Sequence, residues 1–451
     1  MHSRDALALA ADRLAREPGS LAWLDAGPEA AVGRSYLIVP AELEHRLSAN
    51  VQRQRVRESH GAIDTWHDGS IFSVLRERWH PEHGSGAAAR FSGGWVGWFG
   101  YECAADTLGI AMRTEGPEFL DAAWFAAGAW ATLEHETGTV RIDGDDRRAR
   151  ARLESALAAD SPADPGPRES SPSVRHARWR DTPAQYAAHV RAAQRHIADG
   201  EAYQLCLTSR VSGSETLDAM GVYQALRARV PSHHGSFIRI GETAIASASP
   251  EQFLELSPEG RLRTKPIKGT RPRSHDPAAD DALARELRES EKERAENVMI
   301  VDLMRNDLGR VAVTGSVWVP ELLRVERYAP VHQLVSTVEA QLAPDRHPID
   351  AIVAAFPAGS MTGAPKHRAV LRLQGIESGP RGVYSGAHGY LSLDGSLDLA
   401  MTIRSIVVRP DGWTIGAGGG ITALSIAEEE VAEAQLKAAA LLAAIGVENA
   451  D

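Results

Sequence analysis

Strand-like and helical stretches follow one another in this chain without strict alternation. A doubly wound parallel sheet needs that alternation, because each parallel strand is reached through a crossover helix. The mixed order favours an α+β fold, and 451 residues are enough for one large unit or two to three ordinary domains. RSYLIVP (34–40) and GGWVGWFGYE (93–102) read as strands, and ARARLESALAA (149–159) as a helix. DSPADPGPRESSPS (160–173) is too rich in Pro, Ser and Asp to bury much surface. It marks a linker at 158–177 between an N-terminal region (1–157) and a more regular region (178–447).

Asp181-Thr182-Pro183 offers an N-cap with proline in the first turn, so a helix is expected to Ala198, stopped at Gly200. AYQLCLTSRV (202–211) alternates as a strand, with Tyr203, Leu205 and Leu207 on one face and Gln204, Cys206 and Thr208 on the other. Further strands are expected at 243–256, 261–270, 311–319, 383–393, 400–408 and 413–417. A long helix is expected from Pro277 to Leu308; its segment VMIVDLM (298–304) reads as buried all round. A last helix runs from Ala427 to Ile445, with Gly446 as its stop.

Charge and cysteine usage narrow the function classes. The net charge of −11 argues against nucleic acid or an anionic membrane as main partner. A small anionic substrate is still compatible, because the local field matters more than the total. Cys103 and Cys206 show no CxxC spacing, so a reducing cytoplasm is expected rather than a disulfide framework. The opening residues lack the apolar run of a secretory signal, and no stretch approaches transmembrane length.

Common catalytic signatures such as GxxxxGK[ST], HExxH and GxSxG are absent. GAGGGI (416–421) fails GxGxxG because position 421 is Ile; read alone it is a tight turn with open backbone amides. Lys268, between Ile267 and Gly269, groups by strand alternation with Leu262, Thr264 and Pro266, which hints at an inward side chain. Glu296 shares a helix face with Met299, Ile300 and Leu303, and a carboxylate there needs a partner: an arginine, an amide or a metal. Glu433 and Lys437 stand i, i+4 and read locally as a solvent-facing pair. Together Glu296 and Glu433 would suit Mg²⁺, which takes only one or two protein carboxylates. PAGSMTGAPKHRAV (357–370) is expected to open a helix at about residue 364, with Thr362 as cap and free amides for an anion. Glu251 and His332 are candidate general acids or bases.

In their order along the chain, these stretches resemble the chorismate-utilising enzymes. The matching pieces are GEAYQLCLTSR (200–210), SPEQF (249–253), PIKGT (266–270), ERAENVMIVDLMRNDLGRV (293–311), VERYAPVHQLVS (325–336), PAGSMTGAPKHRA (357–369), GVYSGAHGY (382–390), IRS (403–405) and GAGGGI (416–421). Upstream, FSGGWVGWFGYE (91–102) is similar to the family's GYE stretch. The resemblance implies a single large α/β unit of two layered antiparallel sheets with outer helices. It also implies Mg²⁺ held by Glu296 and Glu433, and substrate carboxylates held by Tyr384, Arg404, Gly418 and Lys437. Ser360 and His332 would line the pocket near the ring, with Glu251 the acid that protonates the departing C4 hydroxyl.

Two positions divide the family. Gln204 stands where the isochorismate and salicylate branch has a water-activating lysine. Anthranilate synthases usually read PIAGT, and the PIKGT of this chain is the mark of the aminodeoxychorismate synthase branch, in which the lysine attacks C2 and ammonia then attacks C4. A lysine near the ordinary pKa of ~10.4 is protonated at neutral pH. The resemblance therefore requires burial, or a nearby cation such as Mg²⁺ or Lys437, to free the lone pair of Lys268. Neither cysteine lies in a Gly-x-Cys-x-Gly context, so ammonia is expected from a separate glutamine amidotransferase subunit. The alternatives are an anthranilate synthase with an unusual lysine, and a catalytically silent chorismate-binding or amidotransferase-docking subunit. The chain departs from the family pattern at Asn297 (often His), at Glu433-Ala434, at Ser425-Ile426-Ala427 and at Ser405.

Overall fold

The computed structural model describes residues 3–81, 90–116, 119–158, 176–328, 331–447 and 450. Residues 159–175, which hold nearly all of the expected linker, lie outside them. Two antiparallel sheets form the centre. The first runs in the order Thr139–Asp143, Ala122–Glu134, Arg34–Pro40, Leu21–Asp25, His234–Ile240, Thr243–Ser249, Ser405–Arg409, Gly412–Ile421, Gln204–Gly213. The second runs Ile63–Asp68, Arg55–His60, His45–Asn50, Ala122–Glu134, Gly94–Phe99, Ala387–Ser392, Leu397–Met401, Gln252–Leu256, Arg261–Thr264, Val331–Gln341. Ile267–Pro272 continues beside Val331–Gln341, and Trp318–Arg327 pairs with that same strand. The N-terminal region thus supplies strands to both sheets.

Ala22, Ile38 and Ile245 from the first sheet meet Val96, Trp98 and Phe125 from the second in one buried cluster. Leu7, Leu14, Leu153, Leu226 and Leu441 from four helices cover the first sheet. Ile300, Met304, Leu308 and Ile352 pack with strands of the second. The expected layered α+β architecture is therefore the observed one. Local chemistry places its parts: Thr182 caps Pro183–Ala198 through a capping box with Gln185, as its sequence suggests. Ser3–Ala15 is helical with Leu7, Ala10, Ala11 and Leu14 buried, an i, i+3, i+4, i+7 face.

Several expected elements are broken, and each break serves the site. The run 243–256 is two strands in different sheets, divided at Pro250–Glu251. Its neighbour 397–409 breaks alongside, between Met401 and Ser405. The Ala248 amide donates to the Arg404 carbonyl and the Met401 amide to the Glu251 carbonyl, so two chains cross between the sheets side by side. The run 261–270 breaks before Ile267, and the ladder slips between Ile267 and Thr270. The helix expected over 277–308 is two, Pro277–Glu289 and Glu291–Gly309, because Ser290 ends one and caps the next. Val298 and Asp302 on the second are exposed, so VMIVDLM is not buried all round. The strand expected at 311–319 begins only at Trp318. GAGGGI is no turn but part of the strand Gly412–Ile421. Thr362 caps nothing: its hydroxyl donates back to the Ala358 and Gly359 carbonyls, and the helix starts at Lys366.

Candidate active site

One cavity of about 550 Å³ opens where the crossing strands, the slipped strand, the glycine-rich strand and two helices converge. Of the residues expected at a site, Glu251, Lys268, Glu296, Ser360, Tyr384, Arg404, Gly418, Glu433 and Lys437 all line it. Gln204 and His332 do not. Gln204 is buried behind the wall, where a Cβ on Gly420 would fall 1.9 Å from its Nε2. His332 is fully buried, and its Nε2 lies 2.8 Å from Asp280 Oδ1. Its neighbours Val331 and Gln333 line the cavity instead, as period-2 alternation dictates.

Lys268 owes its position to irregularity rather than to strand alternation. Lys268 and Gly269 occupy the slip in the ladder, a bulge of the kind that re-aims side chains beside functional sites. Gly269 has φ +79°, and a Cβ there would meet Leu287 Cδ1 at 2.7 Å. Only glycine satisfies both constraints.

Beside the strand of Lys268 lies Glu251, buried at the crossing. The Ser360 hydroxyl donates to its Oε1 at 2.9 Å. Burial pushes the carboxyl up to about 7, against the opposing effects of Ser360, the Lys268 charge and the Ile267 amide. A carboxylic acid that keeps its proton near neutrality is a group able to give that proton away.

Two helices bring paired glutamates to the cavity: Glu293 and Glu296 on Glu291–Gly309, Glu430 and Glu433 on Ala427–Ala444. Burial raises Glu296, with Lys268 and Lys292 opposing and Glu293 and Glu430 adding to the rise. Burial would raise Glu433 too, but the Lys437 ammonium, 2.5 Å from its Oε1, holds it below the usual range. Lys437 Nζ also donates to the Gly418 carbonyl at 2.8 Å, and Arg404 donates to the Lys437 carbonyl at 3.0 Å. Among the described residues, no three His, Cys, Asp or Glu side chains form a ready-made metal cluster. Asn297 is fully buried and fastens its helix to the sheet, donating to the Leu334 carbonyl and accepting from Ser336.

Sequence reasoning missed Glu293, Glu430, Lys292, Arg271 and Cys206 in the lining. The two glutamates carried a readable signal: each helix repeats Glu at i, i+3, a spacing that puts both carboxylates on one face.

The sequence model of the chorismate binding enzymes matches residues 36–443. The chain belongs to this family. It is 40% identical over 450 residues to the aminodeoxychorismate synthase of Streptomyces pristinaespiralis, covering 94% of this chain. It spans 61% of that relative's length. It is likewise 40% identical over 382 residues to anthranilate synthase component 1 of Streptomyces coelicolor, covering 79% of this chain and 73% of that protein. The crystal structure of anthranilate synthase component I from Streptococcus pneumoniae superposes with a TM-score of 0.77 at 27% identity, over 92% of this chain and 94% of that one. Relatives with two different names thus share the same percentage identity with the chain, the first over more of its length than the second.

Proposed function

We propose that this chain is an aminodeoxychorismate synthase component I, converting chorismate and ammonia to 4-amino-4-deoxychorismate, towards 4-aminobenzoate and folate. The observation that carries the reading is Lys268 in the same cavity as the proton-holding Glu251. The Nζ lone pair bonds to C2 of chorismate while both ring double bonds shift, C1=C2 to C1=C6 and C5=C6 to C4=C5, and the C4–O bond breaks. Glu251 gives its proton to the leaving hydroxyl, which departs as water. Ammonia then bonds to C4, both double bonds shift back, and the C2–N bond to Lys268 breaks. The ionised Glu251 takes up the proton shed by the new amine. Arg404, Lys437 and the open backbone around Gly418 would hold the substrate carboxylates. The glutamine amidotransferase partner is part of this proposal, as is a reducing, cytoplasmic setting, with which two buried free thiols agree.

The residues present fit Mg²⁺. Glutamate oxygens suit a hard cation, and Gly419 leaves open the space beside them: a Cβ there would lie 2.9 Å from Glu430 Oε2 and 3.6 Å from Glu433 Oε1. Glu296 and Glu433 would hold the ion, with Glu293 and Glu430 beside them. When bound, Mg²⁺ supplies charge neutralisation for a dianionic substrate and fixes its orientation.

Intact-mass analysis with chorismate and Mg²⁺ but no ammonia tests the covalent step. An adduct is expected on the wild type and none on Lys268→Ala. With ammonium salt added, fluorescent anthranilate as the product would move the chain to the C2-aminating branch. Absence of any turnover would mark a silent binding subunit.

A further inference from the structure

We propose that Lys437 is an exchangeable counter-ion that makes tight binding of the substrate wait for the divalent cation. The inference rests on the chorismate site proposed above and concerns its regulation. The glutamates crowd one corner of the cavity: a Cβ on Gly419 would lie 2.9 Å from Glu430 Oε2, 3.6 Å from Glu433 Oε1 and 3.8 Å from Lys437 Nζ, and Glu293 and Glu296 share the lining. Three ammonium groups, Lys268, Lys292 and Lys437, line the same cavity. Among the described residues, Lys437 is the one of the three with a direct bond to this glutamate set.

That bond commits Lys437. An ammonium has three donors. Two of them are occupied here, by Glu433 Oε1 at 2.5 Å and the Gly418 carbonyl at 2.8 Å. Both acceptors belong to the site: one to the carboxylates that would hold a cation, the other to the glycine strand that would face the substrate. A cation taken up by Glu433 competes with the ammonium for the same oxygen. The displaced Nζ is then free for a substrate carboxylate, and its backbone stays anchored by the hydrogen bond from Arg404. Metal and substrate should therefore each raise the other's affinity by the same factor, with Lys437 carrying part of that coupling. Lys292 supplies the comparison. Its charge is also felt by Glu296, Glu430 and Glu433, yet it bonds none of them, so removing it changes the field without removing a competitor.

The test uses Mn²⁺ binding followed by electron paramagnetic resonance, and chorismate binding followed by calorimetry with and without Mg²⁺. A Lys268→Met background prevents adduct formation. Lys437→Met is expected to tighten Mn²⁺ about fivefold, as loss of a half-exposed ion-pair competitor should, and Lys292→Met about twofold or less. Chorismate affinity without metal should be unchanged by Lys437→Met, and with Mg²⁺ about tenfold weaker. Equal weakening with and without Mg²⁺ would overturn the proposal, because Lys437 would then be a permanent substrate ligand. No change in either condition would also overturn it, leaving a surface ion pair. If Lys437-intact protein binds no chorismate under any condition, the substrate reading itself fails, a result distinct from both.

Discussion

The Ser360 hydroxyl lies 2.9 Å from Glu251 Oε1, at the point where the strand bearing Glu251 passes from one sheet to the other. The hydrogen bond favours the ionised carboxyl, while burial favours the neutral one, and burial prevails by enough to leave the group at about 7. Activity that needs the acid form should fall as pH rises through that value. Ser360→Ala removes the stabiliser of the anion, so the alkaline limb of kcat/KM should move to higher pH. Glu251→Gln keeps the shape but has no proton to transfer and should lose about 10²–10⁴ in kcat. An alkaline limb that stays in place in Ser360→Ala would refute the assignment.

Gly416 supports the substrate end. A Cβ there would fall 2.1 Å from the Tyr384 ring. Gly416→Ala should push Tyr384 out of its seat, cost about 1–3 kcal/mol as an overpacked core does, and raise KM for chorismate. Thermal melting and steady-state kinetics on the same preparation check both effects.

Lys366 and Asp307 form a buried ion pair at 2.6 Å, tying the helix of Glu296 to the segment that follows Ser360. Lys366→Met strands a buried carboxylate and should cost about 3–5 kcal/mol. The double variant with Asp307→Leu should recover much of that loss. Urea denaturation of the two single variants and the double closes the cycle.

Glu102 and Asp121 are buried without solvent contact and take no part in the proposed chemistry. Burial, with the Asp121 charge adding and the Arg381 amide opposing, pushes Glu102 up to about 8; burial takes Asp121 to about 7. Both folded values lie above the unfolded ones, near ~4, so the folded state holds protons that the unfolded chain has released. Their contribution is complete below ~4 and is lost as pH climbs through 7 and 8. Melting temperature should therefore decline across this range, less steeply in Glu102→Gln. Parallel melting curves for the two proteins between pH 5 and 9 would contradict the assignment.

The cavity lining was legible wherever chemistry sits in a short motif, as at Lys268, Glu296 and Glu433. It was illegible where geometry depends on partners far along the chain. Parity along a strand is one case: His332 and Gln333 differ by one position, and only the pairing register decides which faces the cavity. The break at Pro250 is another, since only the pairing with 397–409 shows that the chain changes sheets there. The glycines of 416–420 read as a turn because local rules assign glycine to turns. Here they are strand residues, kept small by Tyr384, the Leu207 carbonyl and the Gln204 side chain packed against them.

The interleaving of early and late strands sets how the molecule is made. Gly94–Phe99 lies between Ala122–Glu134 and Ala387–Ser392, and Leu21–Asp25 between Arg34–Pro40 and His234–Ile240. A nascent chain emerging from the ribosome therefore cannot complete either sheet until its last strands are synthesised. Its early strands wait with open edges, a state of high contact order that is exposed to aggregation.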